Sequence, residues 1–390
     1  MHTNNDRDNW LDYLRAFITL LVVAHHSSLA YTTFASFNKA AYITSTHPVV
    51  DTLRSSSLDI FEDFNDVFFM SLMFLIGGIF LWNSIAKKGR QQFLRDRFRR
   101  LFVPFVIGVT LLMLLAYYPA WLLAHGHTSP KAYIVDFFTV EAWPVGPPWF
   151  LWVLFLFNGL LACTYPYMQK GLHQCGIWLA RQTAHTVFIC WYILGWILYV
   201  PAALYFGADA WTGIGPFDFQ QSRLLLYAGY FILGVGIGAP GLHNSLFTAG
   251  NRFMKKWPLW LLACAGSYVL LKCSAPPLLH SLDTGQLNNI QATLIYRSIW
   301  ILSCTCSSIA FITAFRQLFH RSYRLWQSLA GNAYGIYLVH YVFVIWLQYY
   351  LLRCTISPVS KFLVCTIASI LLSWAATWLL RKNKLVRKLL

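Results

Sequence analysis

Apolar residues along the chain group into ten long segments that are separated by shorter polar stretches. Each segment is close to the roughly twenty residues that a membrane-spanning helix needs. The pattern therefore predicts an all-α integral membrane protein with about ten transmembrane helices. The predicted segments cover residues 10–33, 60–84, 101–124, 148–168, 185–206, 222–239, 257–273, 293–315, 333–352 and 359–380.

Lysine and arginine are distributed unevenly among the polar connections. The connections on the side of the two termini contain 21 of them, and the connections on the opposite side contain 4. Short loops rich in lysine and arginine stay in the cytoplasm. The bias therefore predicts that both termini are cytoplasmic, and that the longest outer connections are residues 34–57 and 125–147.

Composition agrees with this class. Of the 390 residues, 57% are hydrophobic and only 11% are charged, against roughly 25% charged residues in soluble domains. The net charge of +16 comes mostly from short loops, which indicates membrane topology and lipid headgroups rather than nucleic acid. The polar N-terminus and long first apolar run predict no removable signal peptide. We find no repeat and no soluble-domain composition, so residues 1–390 are expected to form one membrane domain.

The first segment carries ionisable residues although it is apolar overall. Such residues inside a membrane segment are costly and mark functional sites by default. Arg15 and His26 are eleven residues apart, which places them on one helix face about 16 Å apart along the axis, with His25 about 80° away. Asp12, three residues before Arg15, is expected to pair with it. The segment therefore predicts a polar path with an arginine at its mouth and an imidazole deep inside.

The second segment begins with four acidic residues, and two interpretations of them remain open. Asp59, Glu62 and Asp66 share a helix face, which is typical of a solvated helix start whose acids suit the helix dipole. Alternatively, Asp63 or Asp66 meets the polar face of the first segment and binds substrate. Further along, Gly77 and Gly78 predict close helix packing.

The stretch KKGRQQFLRDRFRRLFVP is the most basic part of the chain. It is predicted to lie on the inner side, and basic segments there are typically attracted to anionic lipid headgroups. Arg97 and Arg100 are also three residues apart, just ahead of a predicted helix with Pro104 in its first turn. Arginines at a helix start bind phosphate groups well, so the same stretch predicts a site for a phosphorylated cofactor.

Several motifs resemble those of the membrane acyltransferase-3 family. DYLRAFITLLVVAHH resembles its first-helix signature of an arginine, ten residues and a histidine, which here are Arg15 and His26. RDRFRRLFVP resembles its RxxR element, with Arg97 and Arg100. The ordered set spans nearly the whole chain and is most similar to ten-helix members related to periplasmic-glucan succinyltransferases. The other matched positions are Trp149 and Phe150 in PPWFLWVLFLF and Tyr334, Tyr337 and His340 in GNAYGIYLVHYVFV.

The resemblance implies O-acyl transfer from a cytosolic acyl-coenzyme A, with an acetyl or succinyl group, to a hydroxyl of a cell-envelope or periplasmic carbohydrate on the outer side. On this hypothesis Arg97, Arg100 and Arg15 hold the coenzyme. His26 acts as the base or is transiently acylated, with Arg15 and Asp12 beside it. The residues expected to bind the carbohydrate are Asp63, Asp66, Trp149 and His340. His340 remains equally open as a structural histidine.

Other functions remain open at this stage. A multi-helix transporter or exporter also uses intramembrane Asp, Arg and His, but inverted repeats or paired broken helices would favour it, and we find neither. A membrane sensor or scaffold, and a membrane acyltransferase of another class, are further alternatives. His125 and His127 have no evident third ligand and the nine cysteines form no CxxC, so we expect no metal. We expect a multi-pass protein of the bacterial inner membrane that contacts lipid. Whether it forms a homo-oligomer or binds a periplasmic partner is left open.

Overall fold

The computed structural model describes residues 9–319 and 321–389. The predicted domain 1–390 is therefore described without residues 1–8, 320 and 390. The described part is almost entirely helical. Its α-helices are α1 Asn9–Leu29, α2 Ser56–Ile79, α3 Leu81–Lys88, α4 Arg90–Arg97, α5 Val103–Ile107, α6 Met113–His125, α7 Pro130–Thr139, α8 Trp149–Arg181, α9 Ala184–Phe206, α10 Leu224–Gly238, α11 Arg252–Lys255, α12 Trp257–Asp283, α13 Asn289–Leu318, α14 Arg324–Leu351, α15 Pro358–Leu380 and α16 Val386–Leu389.

The remaining regular structure is short. Two π-helical segments, Phe98–Phe102 and Gly108–Leu112, join α4, α5 and α6 into one helical stretch. The strands β1 Trp211–Thr212 and β2 Phe219–Gln220 form a two-stranded antiparallel pair between α9 and α10. In the part of the chain that the structure describes, four 3₁₀ turns lie at Tyr42–Thr44, Gly215–Phe217, Gln221–Arg223 and Leu242–Asn244.

All ten predicted apolar segments fall on helices. Within residues 9–319 and 321–389, eight helical stretches are long and apolar enough to cross a membrane. The other two predicted segments correspond to α1, which contains the ionisable residues, and to α10, which has only 15 residues. The prediction of an all-α membrane protein is thus supported, while the count of ten spans and the side of the termini stay predictions.

One prediction about local structure is wrong. The basic stretch 85–100 connects two predicted apolar segments and was expected to be a loop. It is helical instead, because α3 extends into it as far as Lys88 and α4 begins at Arg90. Gly89, with φ of 74°, separates the two helices in a conformation that glycine adopts without steric cost. The stretch is rich in Arg, Lys and Gln, which are strong helix formers, and hydropathy does not register that preference.

The first helix lies at the centre of the bundle. It packs against α2, α13, α14 and α15, and α2 in turn packs closely against α10. The close packing predicted for the glycine pair holds at Gly78, where a Cβ atom would collide with the carbonyl oxygen of Phe231. Small residues let helix backbones approach in this way, so α2 is held tightly against α10.

The connection 30–55, which the charge bias predicts to lie on the outer side and which we call the outer connection, folds back over the helix ends. The Asp51 amide donates to the Ala30 carbonyl at 2.9 Å, and the Lys361 ammonium donates to Asp51 at 2.6 Å with both side chains buried. Glu141, from the second outer connection, accepts from the amides of Tyr42 and Ile43. Burial raises the pKa of the Glu141 carboxyl above its usual range. The two outer connections therefore form one ordered cap.

Candidate functional site

The α1 face predicted from residue spacing is present. Arg15 pairs with Asp12 at 3.1 Å, as the sequence predicts, and the Thr19 hydroxyl donates to the Arg15 carbonyl at 3.0 Å. His26 lies about two turns beyond Thr19 on the same helix. The helix therefore presents an ion-paired arginine near one end and a histidine near the other.

A cavity of about 290 Å³ opens beside the start of α1. Arg97 and Arg100 line it together with Asp12 and Arg15. Four charged groups that the sequence placed on two separate segments thus share one cavity. Three guanidinium groups around one opening make a site suited to an anion with several phosphates.

The deeper wall of this cavity is mostly apolar. Asn158 is the exception, because its Nδ2 donates to the Leu154 carbonyl at 2.7 Å while its buried Oδ1 has no hydrogen-bond partner among the described residues. An unpaired buried acceptor is costly, and it is the group that a ligand amide would satisfy. The apolar residues of this wall include Met73, Ile76, Leu151 and Leu154.

The arginine pair is held differently from the prediction. Arg97 ends α4 and Arg100 lies in the π-helical segment that follows it, inside one continuous helical stretch. They are therefore not at a helix start, and the expected help from a helix N-terminus is absent. Arg97 instead lies over the Phe93 ring at 5.0 Å, and the Tyr334 hydroxyl donates to the Arg100 carbonyl. Any anion binding here depends on the guanidinium groups themselves.

A second polar cluster surrounds His26. The His26 and His340 rings lie 5.4 Å apart, and the Tyr341 ring lies 5.1 Å from His26. The His340 Nδ1 lies 2.6 Å from the Tyr337 carbonyl oxygen. A carbonyl only accepts, so in neutral His340 Nδ1 carries the proton and Nε2 carries a lone pair. Neither His340 Nε2 nor His26 Nδ1 has a partner among the described residues.

The cavity does not extend to His26. Its innermost lining residues include Thr19 and Tyr337, and His26 lies seven residues beyond Thr19, a rise of about 10 Å. Tyr337 stands between the two regions, because it lines the cavity while its ring lies 5.9 Å from the His340 ring. The arginine cavity and the histidine cluster are therefore neighbours separated by this tyrosine.

The acidic residues of α2 are engaged by other helices. Asp66 accepts from Arg223 at 2.6 Å, and Asp63 accepts from Lys272 at 2.9 Å and from the Tyr268 hydroxyl at 3.0 Å. The carboxylate that approaches the first helix is Glu62, 3.8 Å from His25 Nε2. One of the two interpretations of the sequence put Asp63 or Asp66 in that position, but in the structure it is Glu62.

Arg223 is buried although it lies near the end of a predicted apolar segment, residues 222–239. Its side chain is only 3% exposed and lies over the Trp300 ring at 4.8 Å. Burying a guanidinium requires a paired carboxylate, which Asp66 supplies from 157 residues away. Sequence spacing contains no signal for such a distant pair.

Trp149 packs in an aromatic cluster rather than beside the imidazoles. Its ring centroid lies 5.6 Å from Trp211, 5.7 Å from Tyr227 and 6.1 Å from Phe74. The side chain is partly buried at the start of α8. The structure thus brings His340 to His26, and places Trp149, Asp63 and Asp66 in other contacts.

Sequence reasoning missed two residues next to His26. His47, from the outer connection, has its Nε2 2.8 Å from Gln348 Oε1, and Gln348 Nε2 donates to the carbonyl oxygens of His26 and Ser27. Burial lowers the pKa of His47 to about 4. An isolated glutamine in an apolar segment was a usable signal. His47 offered none, because the fold of the outer connection brings it to the site.

Metal ligation finds no support in the described part of the chain. Across residues 9–319 and 321–389, no three His, Cys, Asp or Glu side chains are grouped so as to hold a metal ion. The polar groups around His26 are imidazoles, amides and phenols that contact one another. Their arrangement suits proton transfer and hydrogen bonding.

Comparison with known proteins places this geometry in context. A family model described as an acyltransferase domain matches residues 8–378. The chain is 24% identical over 251 residues to glucans biosynthesis protein C of Escherichia coli, covering 63% of this chain and 62% of that protein. It is 25% identical over 256 residues to the protein of that name from Shigella dysenteriae, with the same coverage. The matched region thus spans 62% of the length of these curated relatives. No solved structure matches the chain.

Proposed function

The chain belongs to the acyltransferase-3 family, and from this premise we propose that it is a membrane O-acyltransferase acting on a cell-envelope carbohydrate. It moves an acetyl or succinyl group from cytosolic acyl-coenzyme A to a sugar hydroxyl. The observation that carries the proposal is the single helix α1, which joins a cavity lined by three arginines to a cluster of imidazoles around His26.

The proposed topology has ten membrane spans with both termini in the cytoplasm. The bias of 21 against 4 basic residues in the connections supports it by the positive-inside rule. In this orientation the arginine cavity opens to the cytoplasm, and the cap formed by the outer connections faces outward. The bacterial relatives and the cytosolic donor together support the bacterial inner membrane.

Acyl-coenzyme A fits the cavity in charge and polarity. Arg97 and Arg100, with Arg15 deeper in, bind the phosphates of the coenzyme, and Asp12 fixes the rotamer of Arg15. The apolar wall suits the extended arm of the coenzyme, and the unpaired Oδ1 of Asn158 accepts from one of its amides. The arm must then pass Tyr337 to bring the thioester to His26.

His26 supplies the chemistry in this proposal. It removes the proton of the acceptor hydroxyl as the hydroxyl oxygen attacks the thioester carbonyl, and the carbon–sulfur bond then breaks. The resulting imidazolium returns the proton to the departing thiolate. A positioned base of this kind contributes about 10²–10⁴ in rate. Transient acylation of His26 followed by transfer is the alternative route with the same products.

The carbohydrate approaches from the outer side. Both relatives have names that refer to glucan biosynthesis, so a glucan is the first acceptor to test. His340 lies against His26, and we assign it to hold the attacking hydroxyl through its unpaired Nε2. Asp63, one third exposed, and Asp66 offer acceptor oxygens to further sugar hydroxyls. Trp149 offers an aromatic face.

The first test is thermal stabilisation of the purified protein by acetyl-, succinyl- and longer acyl-coenzyme A. A ligand that binds only the native state stabilises it by about 2.7 kcal/mol at a hundred times its dissociation constant. We expect stabilisation in the wild type and in His26→Ala, and weaker stabilisation in Arg97→Ala. The preferred thioester identifies the acyl group.

Arg95→Ala is the matched control, because Arg95 is exposed on the same helix and is not part of the cavity wall. It should retain wild-type stabilisation. If none of the thioesters stabilises the wild type, the coenzyme proposal is wrong and a transporter becomes the better explanation of the buried polar residues.

A further inference from the structure

The C-terminal end of α1 lies three residues beyond His26, so the position of the imidazole depends on how that end is held. The last four carbonyls of an α-helix have no partner within the helix, and here they belong to residues 26–29. The Tyr31 amide donates to the Ser28 carbonyl at 2.9 Å. The Thr32 hydroxyl donates to the Leu29 carbonyl at 3.0 Å.

The other two carbonyls are satisfied from a different helix. Gln348 of α14 donates from Nε2 to the carbonyl oxygen of His26 at 3.0 Å and to that of Ser27 at 3.2 Å. Both Gln348 and Ser27 are fully buried. The residue that holds the backbone of His26 is therefore a side chain more than 300 positions away in the sequence.

These two bonds decide how the Gln348 amide is oriented. Carbonyls only accept, so the NH₂ group must face α1 and Oε1 must face the other way. Oε1 lies 2.8 Å from Nε2 of His47, so His47 must carry its proton on Nε2 and donate it. A neutral His47 does this, and its burial keeps it neutral because its pKa is lowered to about 4.

The outer connection holds His47 firmly in this position. Asp51, four residues after His47, forms a buried ion pair with Lys361 at 2.6 Å. On the other side of His47, Glu141 binds the amides of Tyr42 and Ile43. The chain of contacts thus runs from the outer cap through His47 and Gln348 to the backbone of His26.

We propose that Gln348 is a positioning residue for His26, and that His47 of the outer cap fixes the orientation of its amide. The inference rests on the proposed function, because it takes His26 as the base. A misplacement of a reacting group by about 1 Å costs on the order of 100-fold in rate, so two hydrogen bonds to the backbone of the base are enough to matter. The outer cap then contributes to the transfer centre itself.

The test combines hydrogen–deuterium exchange of the segment 24–32 with kinetics using acetyl- and succinyl-coenzyme A and a glucan oligosaccharide. In Gln348→Leu we expect exchange at the end of α1 to rise roughly fivefold or more. We expect kcat to fall roughly 10- to 100-fold, with KM for the thioester unchanged. A general folding defect would instead raise exchange throughout the protein.

Two comparisons separate positioning from the simple loss of a side-chain hydrogen bond to a backbone carbonyl. Gln317→Leu is the matched control, because Gln317 also donates to a carbonyl, that of Ala249 at 2.9 Å, at the far end of α13. It should leave exchange in 24–32 and kcat unchanged. His47→Leu should reproduce part of the Gln348→Leu effect. His47→Gln should rescue it, since a glutamine amide donates from nearly the same place as Nε2.

The proposal is overturned if Gln348→Leu leaves exchange in 24–32 at the wild-type level, or if it raises exchange without lowering kcat. Equal effects of His47→Leu and His47→Gln would remove His47 from it. An inactive wild-type preparation would count against the proposed function. Hydrogen–deuterium exchange needs no turnover, so the exchange data would still show whether Gln348 holds the end of α1.

Discussion

The two ends of α1 are built in opposite ways. The end near Arg15 opens into a cavity whose arginines are partly exposed, whereas the end near His26 is enclosed by buried side chains and an outer cap. Partly exposed guanidinium groups suit the capture of a large anion from water. A buried imidazole whose helix is held by hydrogen bonds suits chemistry that needs fixed geometry. The difference indicates a division between binding at one end and reaction at the other.

The largest effect is expected for a variant at the reaction end, which should lose transfer and keep binding. In His26→Ala we expect transfer to fall by about 10²–10⁴, while stabilisation by acyl-coenzyme A persists. Turnover is measured by the release of free coenzyme thiol in the presence of a glucan. Unchanged turnover in this variant would remove His26 as the base.

The enclosed end also predicts a pH dependence of stability. His47 has a pKa of about 4 in the native protein against 6.5 for the free side chain, so its contribution is fully present above pH 6.5. As the pH falls from 6.5 towards 4, the unfolded chain binds a proton that the native state does not. The free energy of unfolding should then fall by up to roughly 3 kcal/mol.

The measurement is thermal unfolding of wild type and His47→Gln between pH 7.5 and 4.5. Glutamine does not titrate, so the wild type should lose more stability than the variant as the pH falls. Parallel curves for the two proteins would show that His47 is not buried as a neutral side chain.

At the open end, Arg97→Ala should weaken binding of acyl-coenzyme A by about 10-fold, because one charge-assisted hydrogen bond is lost. Binding is measured by isothermal titration calorimetry in the His26→Ala background, which prevents turnover during the measurement. Arg95→Ala is again the control and should bind normally. If the two arginine variants bind equally well, Arg97 does not contact the coenzyme.

Substitution of Asn158 should give the smallest effect on binding, and it distinguishes a role in ligand binding from a role in the fold. Asn158→Leu removes an unpaired buried oxygen, so thermal stability without ligand should be unchanged or higher. Binding of acyl-coenzyme A should weaken by about fivefold, the value of one hydrogen bond. Reduced stability with normal binding would mean that Asn158 serves the fold and not the ligand.

The sequence was most informative where the signal is local. Residue spacing placed Arg15 and His26 on one face and predicted the Asp12–Arg15 pair, because both follow from helix geometry alone. The apolar segments located the helices because a run of about twenty apolar residues is itself a local signal. The helical structure of residues 85–100, which belongs to α3 and α4, was missed, since hydropathy measures burial and not helix propensity.

Contacts between distant parts of the chain were beyond the sequence pattern. Asp66 and Arg223 are 157 residues apart, and His47 and Gln348 are 301 residues apart. Asp66 and Gln348 stand out as polar residues of their own segments, but only the packing of the helices shows what each of them touches. The role of Glu62 beside His25 depends in the same way on how α1 and α2 are rotated against each other.

The most direct test of the division between the two ends uses sealed proteoliposomes with donor and acceptor on opposite sides of the membrane. The orientation of the protein is determined with an impermeant thiol reagent, because Cys175 and Cys354 are both exposed and are predicted to lie on opposite sides. We predict acylated glucan only when acyl-coenzyme A is on the side of Arg97 and glucan is on the side of the outer cap. Transfer that requires both substrates on one side would contradict this account.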